Sequence, residues 1–347
     1  MVFKIGLNGD NANLIPVDHF GDGYVSMFVM AVIQAIAESN VDDKCLFLFE
    51  EPESFLHENH QEYFYKMVLC SLAEKGHQVI YTTHSDRMID IFDTKSIIRI
   101  DFDENEKRSV KKYNKIAQFQ SQNENIISLD NFNSFIKSVE PNLNKILFSR
   151  KVVLVEGPND LLSYNYAIEN KINSIKSDLK YSKAYLNFKN ISIVVHHGKS
   201  TAILLIELCK HFGLDFFVIN DWDFETNFID AVNVFEEENH LKESQLYLIE
   251  NEEERSATKK GMITTNWKLL KAATLANIHF NIPKLEQVLG YDSDNKSSLG
   301  IWNRLNEIDE FSNDFFPDSL FEFLEINELA EENEENQPAI ADDNLPF

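Results

Sequence analysis

Cysteine is nearly absent. Cys45, Cys70 and Cys209 are the three in 347 residues, too few and too scattered for a disulfide framework, so a reducing compartment, most simply the cytosol, is expected. Proline and glycine are also scarce, at 8 and 11 residues, which excludes collagen-like and low-complexity chains. Long hydrophobic runs are missing too. The longest, Tyr24 to Ala37, covers 14 residues and is broken by Ser26 and Gln34, short of the roughly 20 needed to span a bilayer, so it reads as a buried helix and no membrane partner is expected. The first residues lack the basic, apolar, small-residue order of a secretory signal. Basic charge is in deficit: 32 Lys and Arg face 57 Asp and Glu, a net −25, which argues against attraction to nucleic acid through bulk charge. The deficit is uneven. Ile301 to Phe347 holds fourteen acids and one Arg, so this segment carries −13 and the preceding 300 residues −12. A mildly acidic body remains compatible with DNA held through metal ions and local basic patches.

What is present is an apolar fraction of 44%, enough for two buried cores in a chain of this length. Strand and helix patterns alternate, which predicts an α/β fold with mainly parallel sheets flanked by helices. Cys45-Leu-Phe-Leu-Phe49 reads as a strand buried on both faces. A helix follows over about 57–74, with Phe64, Met67, Val68 and Leu72 on one face, then strands over 78–83 and 96–102. The polar stretch 103–125 carries Lys107, Arg108, Lys111, Lys112 and Lys115, and a helical segment leads to Leu147. A second set begins at Lys151: strands over 152–155, 191–195 and 216–219, with helices after Pro158 and from Ser200 to Phe212. Periodicity weakens after about Asp292, and 328–347 reads as a solvated acidic tail.

Two groups of residues carry chemistry. In the first, the apolar strand runs into Glu50-Glu51-Pro52. Nucleotide hydrolysis needs one acid to hold hydrated Mg²⁺ and a second to activate water, both at a strand's carboxyl end; the plain alternative is a capped strand end with solvated acids. Glu-Glu-Pro-Glu-Ser-Phe-Leu-His at 50–57, with Thr-Thr-His-Ser at 82–85, resembles the ABC-type ATPase head in the form carried by the overcoming-lysogenization-defect (OLD) family of ATP-dependent endonucleases. The resemblance implies that Glu50 is the Mg²⁺-associated acid, Glu51 the catalytic base and His84 the switch histidine. Phe20-Gly-Asp-Gly-Tyr24 is similar to that family's signature loop, which implies that Gly21 and Gly23 contact nucleotide on an opposite subunit. The family's Gly-x-x-x-x-Gly-Lys-Ser/Thr phosphate loop does not occur in residues 1–20. Gly198-Lys199-Ser200 is no substitute, because the position five before Gly198 is Ile193, inside a predicted strand. The head is therefore expected to be partial, a scaffold more than an engine. ATP is expected to act only with a partner or an N-terminal segment outside this sequence.

In the second group, Glu156 follows a buried strand, Gly157 admits a ligand to the backbone, and Asp160 lies one helical turn on. Asp221 and Asp223 end a later strand at spacing two, which in extended chain turns both to one face. Four acids at strand ends form an oxygen-only set suited to Mg²⁺ or Mn²⁺. Each half alone is equally a capping turn or a solvated strand end. Val-Glu-Gly-Pro-Asn-Asp followed by Asp-Trp-Asp resembles the Toprim domain of topoisomerases, primases and OLD-type nucleases. That resemblance implies a small parallel sheet and metal-dependent phosphodiester cleavage, with Glu156 as metal ligand or general base and Asp160, Asp221 and Asp223 as metal ligands. Lys199 is assigned to phosphate neutralisation. The family supplies a further lysine downstream, and the sequence does not choose among Lys259, Lys260, Lys268 and Lys271. His196 and His197 read as a loop pair beside the site as readily as catalytic groups.

The chain ends Ala341-Asp-Asp-Asn-Leu-Pro-Phe347, which is similar to the tip of bacterial single-stranded-DNA-binding protein. By that resemblance Pro346 and Phe347 would fill an apolar pocket on a partner while Asp342 and Asp343 meet its basic rim. The expected organisation is a partial ATPase head over 1–147, a Toprim domain over 148–300 and an acidic segment over 301–347. The expected function is metal-dependent DNA cleavage in phage defence or DNA repair, by a dimer or with an ATPase partner. The alternative is a regulatory subunit docking on an ATPase that supplies the phosphate loop.

Overall fold

The computed structural model describes residues 4–6, 14–16, 20–39, 44–54, 56–90, 97–103, 107–111, 143–291 and 297–329. The chain divides into two compact units, Met1–Lys95 and Ser96–Phe347. The boundary read from the sequence near Leu147 marks the entry to the larger sheet, at Lys151.

In the first unit β1 (Lys4–Gly6) pairs antiparallel with β2 (Leu14–Pro16), and a helix follows over Asp22–Ser39. β3 (Leu46–Glu50) and β4 (Gln78–Thr82) then pair in parallel, with Glu50 opposite Thr82. The helical run between them is α over Glu58–Phe64, π over Tyr65–Cys70 and α again over Ser71–Glu74. The wider turn of i→i+5 bonding rotates the apolar stripe. Phe64, Tyr65, Val68, Leu69 and Leu72 are buried, whereas Met67, expected among them, is exposed. The expectation of a strand buried on both faces also needs correction. Phe47 and Phe49, with Val79 and Tyr81, pack on the core, but Leu46, Leu48 and Ile80 on the opposite face are 55%, 68% and 60% exposed. The helical run, with Met30 of the Asp22–Ser39 helix, packs on one face of a two-stranded sheet, and among the described residues nothing covers the other.

In the second unit β5 (Ile100–Asp103) and β6 (Arg108–Lys111) form an antiparallel hairpin, with Lys107 in the turn at φ 50°. Part of the expected polar loop is thus a strand; Lys112 and Lys115 lie outside the described residues. The main sheet comprises β7 (Lys151–Val155), β8 (Ile191–Val195) and β9 (Asp215–Asp221). After a short hairpin of β10 (Ile249–Glu250) and β11 (Glu253–Glu254), it is completed by β12 (Ile278–Asn281). Its order is β12-β9-β7-β8, all parallel, the arrangement that alternating strands and helices dictate. β7 is interior, and Val152 to Val155 are fully buried. Pro158–Lys176, Leu179–Phe188, Lys199–Phe212 and Ala257–Ala273 are its principal helices.

Residues 297–329, read from sequence as acidic and weakly periodic, belong to this core. Ile301, Leu305, Phe315, Phe316, Leu320, Leu324, Ile326 and Leu329 pack with Val153, Val155, Tyr164 and Phe217. Polar contacts fix the segment to the N-terminal end of β7. Glu325 accepts from both Arg150 guanidinium nitrogens at 2.6 and 2.7 Å and pairs with Lys151 at 2.8 Å and Lys189 at 3.1 Å, while Tyr185 donates to the Leu324 carbonyl at 2.8 Å. Among the described residues no helix is long and apolar enough to cross a membrane.

Candidate functional site

In a parallel sheet the carboxyl ends of the strands open together, and side chains just beyond them share one crevice. Glu156 follows β7, Asp221 closes β9, and Asp160 stands in the first turn of the Pro158–Lys176 helix, where Pro158 occupies a position that needs no hydrogen-bonded N–H. Asp160 Oδ2 accepts from Gly157 N at 3.0 Å, a helix-capping contact, but its Oδ1 is buried with no partner. Glu156 Oε2 accepts from Asn220 Nδ2 at 2.8 Å and from Asp221 N at 3.2 Å; Asp221 Oδ1 accepts from Leu285 N at 2.9 Å.

The three acids feel one another. Burial, then Asp221 and Glu156, pushes the Asp160 carboxyl up to about 8; burial, then Glu156, pushes Asp221 up to about 7. Among the described residues no group of three or more His, Cys, Asp or Glu side chains is drawn together closely enough to hold a metal ion as it stands, and each of the three acids turns an oxygen to a backbone or amide donor. The chemistry of the donors nonetheless suits a hard divalent cation: all are oxygens, they repel without one, and one buried oxygen has nothing to bond.

Asp223 behaves differently. β9 ends at Asp221, and Asp223 adopts φ 66° with its N–H on the Pro283 carbonyl, so the extended continuation that would align it with Asp221 does not occur. Its carboxylate meets Lys199 Nζ at 2.6 Å and Lys284 Nζ at 3.3 Å. Lys199, whose side chain is 10% exposed, also donates to Asn266 Oδ1 at 2.9 Å. The four downstream lysines offered by the sequence point elsewhere: Lys259 to Glu250, Lys260 to Glu254, Lys268 to Glu238 and Lys271 to Glu236. Lys284, absent from the sequence reading, is the lysine after these four in the chain, and it meets Asp223. Its signal is faint, one Lys after Ile282-Pro283, just beyond a short strand that the periodicity does not show. Glu286, buried, adds its charge to Asp221 and was likewise missed. His196 is fully buried and pushed down to about 4 by that burial, whereas His197 is exposed at φ 56°.

In the first unit the structure brings Glu51 and His84 together, with His84 Nε2 at 3.1 Å from Glu51 Oε1. Glu51 adopts φ 40° and its N–H bonds the Thr82 carbonyl at 3.1 Å. Glu50 is exposed at the end of β3. Glu53, not singled out in the sequence, is buried and organises the facing loop, accepting from Thr83 Oγ1 at 2.6 Å and His84 N at 2.8 Å. Gly21 precedes the Asp22–Ser39 helix and its carbonyl accepts from Tyr24 and Val25, while Gly23 lies in the first turn. Asp342, Asp343, Pro346 and Phe347 lie outside the described residues.

Comparison with known proteins follows the same division. Residues 3–89 match the model of an AAA ATPase domain, and residues 147–223 match that of the overcoming lysogenization defect protein-like Toprim domain. The chain is 27% identical over 215 residues to the OLD nuclease of Thermus scotoductus, an alignment covering 60% of this chain and 36% of the relative. It is 29% identical over 221 residues to the Old nuclease of Escherichia phage P2, covering 61% and 34%. The chain thus spans about a third of the length of these curated relatives.

Proposed function

We propose that this chain, which joins an AAA ATPase domain to a Toprim domain of the OLD type, is a divalent-metal-dependent DNA endonuclease or nickase acting at Glu156, Asp160 and Asp221. The observation that carries this reading is three carboxylates at the carboxyl ends of adjacent strands and in the helix turn beyond, two of them raised by burial and by the charge of the others. Such a cluster costs free energy unless a cation sits among its oxygens. Glu156, Asp160 and Asp221 would hold Mg²⁺ or Mn²⁺. A bound ion of this kind polarises a phosphodiester and makes water a better nucleophile at neutral pH. The chain's own groups set the stage: Asn220 and the Asp221 N–H hold one Glu156 oxygen, and the Leu285 N–H holds one oxygen of Asp221. Lys199 and Lys284 place two positive charges against the single Asp223 carboxylate, a local surplus that favours a phosphate beside the acids in an otherwise acidic chain. The two relatives named as nucleases support the reading, and phage defence or DNA repair is the setting proposed with it.

The test is incubation of supercoiled plasmid with the purified chain and Mg²⁺ or Mn²⁺, without ATP, beside Glu156→Ala and Asp221→Ala. Nicking or linearisation that needs the metal and disappears in both variants is the expected result; cleavage that survives both refutes the assignment. A second reading draws on the bare face of Leu46, Leu48 and Ile80 in the ATPase unit. There the chain is a regulatory subunit whose head docks on an ATPase supplying the phosphate loop, and ATP acts only in that complex. A folded wild type that cleaves nothing until such a partner is added would favour it. The terminal Asp342, Asp343, Pro346 and Phe347 are proposed to recruit proteins that bind single-stranded-DNA-binding-protein tips; their deletion should abolish that binding.

A further inference from the structure

β8 closes one side of the main sheet. It pairs with β7, and among the described residues no strand pairs with its other side. The His196 N–H reaches the Val155 carbonyl at 2.9 Å, so the backbone groups of Ser192, Val194 and His196 face β7 and, by alternation, those of Ile191, Ile193 and Val195 face outward. Such a row of N–H and C=O groups is a template for a further strand. A groove of about 340 Å³ runs the length of β8, lined by each residue from Ile191 to Val195. Leu161 of the Pro158–Lys176 helix and Leu186 of the Leu179–Phe188 helix add apolar surface to it. Lys145 and Lys183 stand exposed along it, with Glu169 as the one acid among its lining residues. Neither lysine ammonium has an ion-pair partner among the described residues.

The described chain ends close to the start of that groove. Glu328 meets Lys189 Nζ at 3.3 Å, Leu329 is buried, and Lys189 lies just before β8 begins at Ile191. Tyr185 of the Leu179–Phe188 helix donates to the Leu324 carbonyl, whereas Lys183 and Leu186 of the same helix turn to the groove. One helix, about 10–12 Å across, therefore separates the two. Residues 330–338, nine in number, carry four acids and end at Pro338. They extend up to about 30 Å, enough to pass around that helix. Ala339-Ile-Ala-Asp-Asp-Asn-Leu345 then runs seven residues without a proline, apolar at its start and acidic in its middle. The whole stretch 330–347 holds six acids and no Lys or Arg, which complements the two unpaired ammonium groups.

We propose that residues 339–345 bind along β8 as an added strand, with Asp342 and Asp343 within reach of Lys145 and Lys183. Main-chain bonds to Ile191, Ile193 and Val195 supply the affinity, and the lysines select an acidic segment over a basic one. The contact is independent of the metal site. A partner that reads Pro346 and Phe347 has to draw the segment off β8 first, so recruitment becomes a competition.

The experiment is amide hydrogen exchange of the full chain, read by NMR at Ile193 and Val195, beside the double variant Ile340→Pro/Ala341→Pro, with melting curves to show that each chain folds. Neighbouring residues of a strand turn their N–H groups to opposite sides, so one of the two prolines must remove a bond to β8. Both outward amides are expected to exchange at least about tenfold faster in the proline variant, while Val153 and Val194 inside the sheet keep their rates. Lys145→Glu/Lys183→Glu is expected to give the same loss of protection. Adding Asp342→Lys/Asp343→Lys to that variant is expected to restore it, which a merely structural role of the lysines would not produce. Equal exchange in the wild type and the proline variant overturns the proposal: fast in both means an open edge, slow in both means cover by another segment. Protection that rises with protein concentration also overturns it and gives the groove to a second copy.

Discussion

At the residue scale the acids and their neighbours make opposite demands on pH. Asp160 and Asp221 have folded values raised to about 8 and about 7 against an ordinary 3.8, so the folded chain keeps protons that the unfolded chain has lost. The stability this gives is complete below about pH 4 and disappears as pH rises through 7 and 8. His196, lowered to about 4, works the other way, but only below about 6.5. The metal-free chain should therefore lose melting temperature between pH 6.5 and 8.5, and Asp160→Asn should flatten that decline. A rising or level profile in EDTA would count against mutual repulsion at the site. Glu325 is held well below the ordinary carboxylate range, chiefly by its hydrogen bonds to Arg150, so its contribution is present above about pH 4.5 and lost only as acid protonates it. Glu325→Gln should thus lower stability more at pH 7 than at pH 3, measured by chemical denaturation at both. The effect should be modest, since Arg150 is 41% exposed and solvent screens its charge.

At the element scale the legible parts were those whose signal is local. β7 is an unbroken apolar run after Lys151, β8 an apolar run interrupted by Ser192, and the Lys199–Phe212 helix is largely apolar and ends at Gly213 in the left-handed region, so each was visible in the sequence. Glu156, Asp160 and Asp221 were found because they fall at the ends of such elements. What was hidden depends on tertiary contact. β12 is four residues long and owes its existence to pairing with β9; missing it meant missing Lys284 just beyond. Asp223 carries the expected residue, but a left-handed turn sends it to two lysines. The π turn at Tyr65–Cys70 shifted Met67 out of its predicted stripe. In 297–329 the acids lie between large apolar residues at irregular spacing, which conceals a core segment. Leu320→Ala, at a fully buried position, should cost about 2–5 kcal/mol in chemical denaturation. A chain stopped at residue 306 loses six large buried side chains, Phe315 to Leu329, each worth about 1.5–3 kcal/mol, and should not fold its second unit. Cooperative melting of that truncated chain would refute the packing.

At the scale of the whole molecule, two units carry separate chemistry: one pairs Glu51 with His84, and the other gathers Glu156, Asp160 and Asp221. The net charge of −25 repels a polyanion, so the proposed DNA cleavage requires local contact, through a cation among the acids and through Lys199 and Lys284 on Asp223. The account therefore stands on where a metal binds. Crystals of the chain soaked in Mn²⁺ and measured at an energy where manganese scatters anomalously would show this directly. A peak within about 2.5 Å of oxygens from Glu156, Asp160 and Asp221, with Asp223 still on its lysines, is the result predicted. A fully folded chain with no peak there, or with its ion on Asp223 instead, would contradict it.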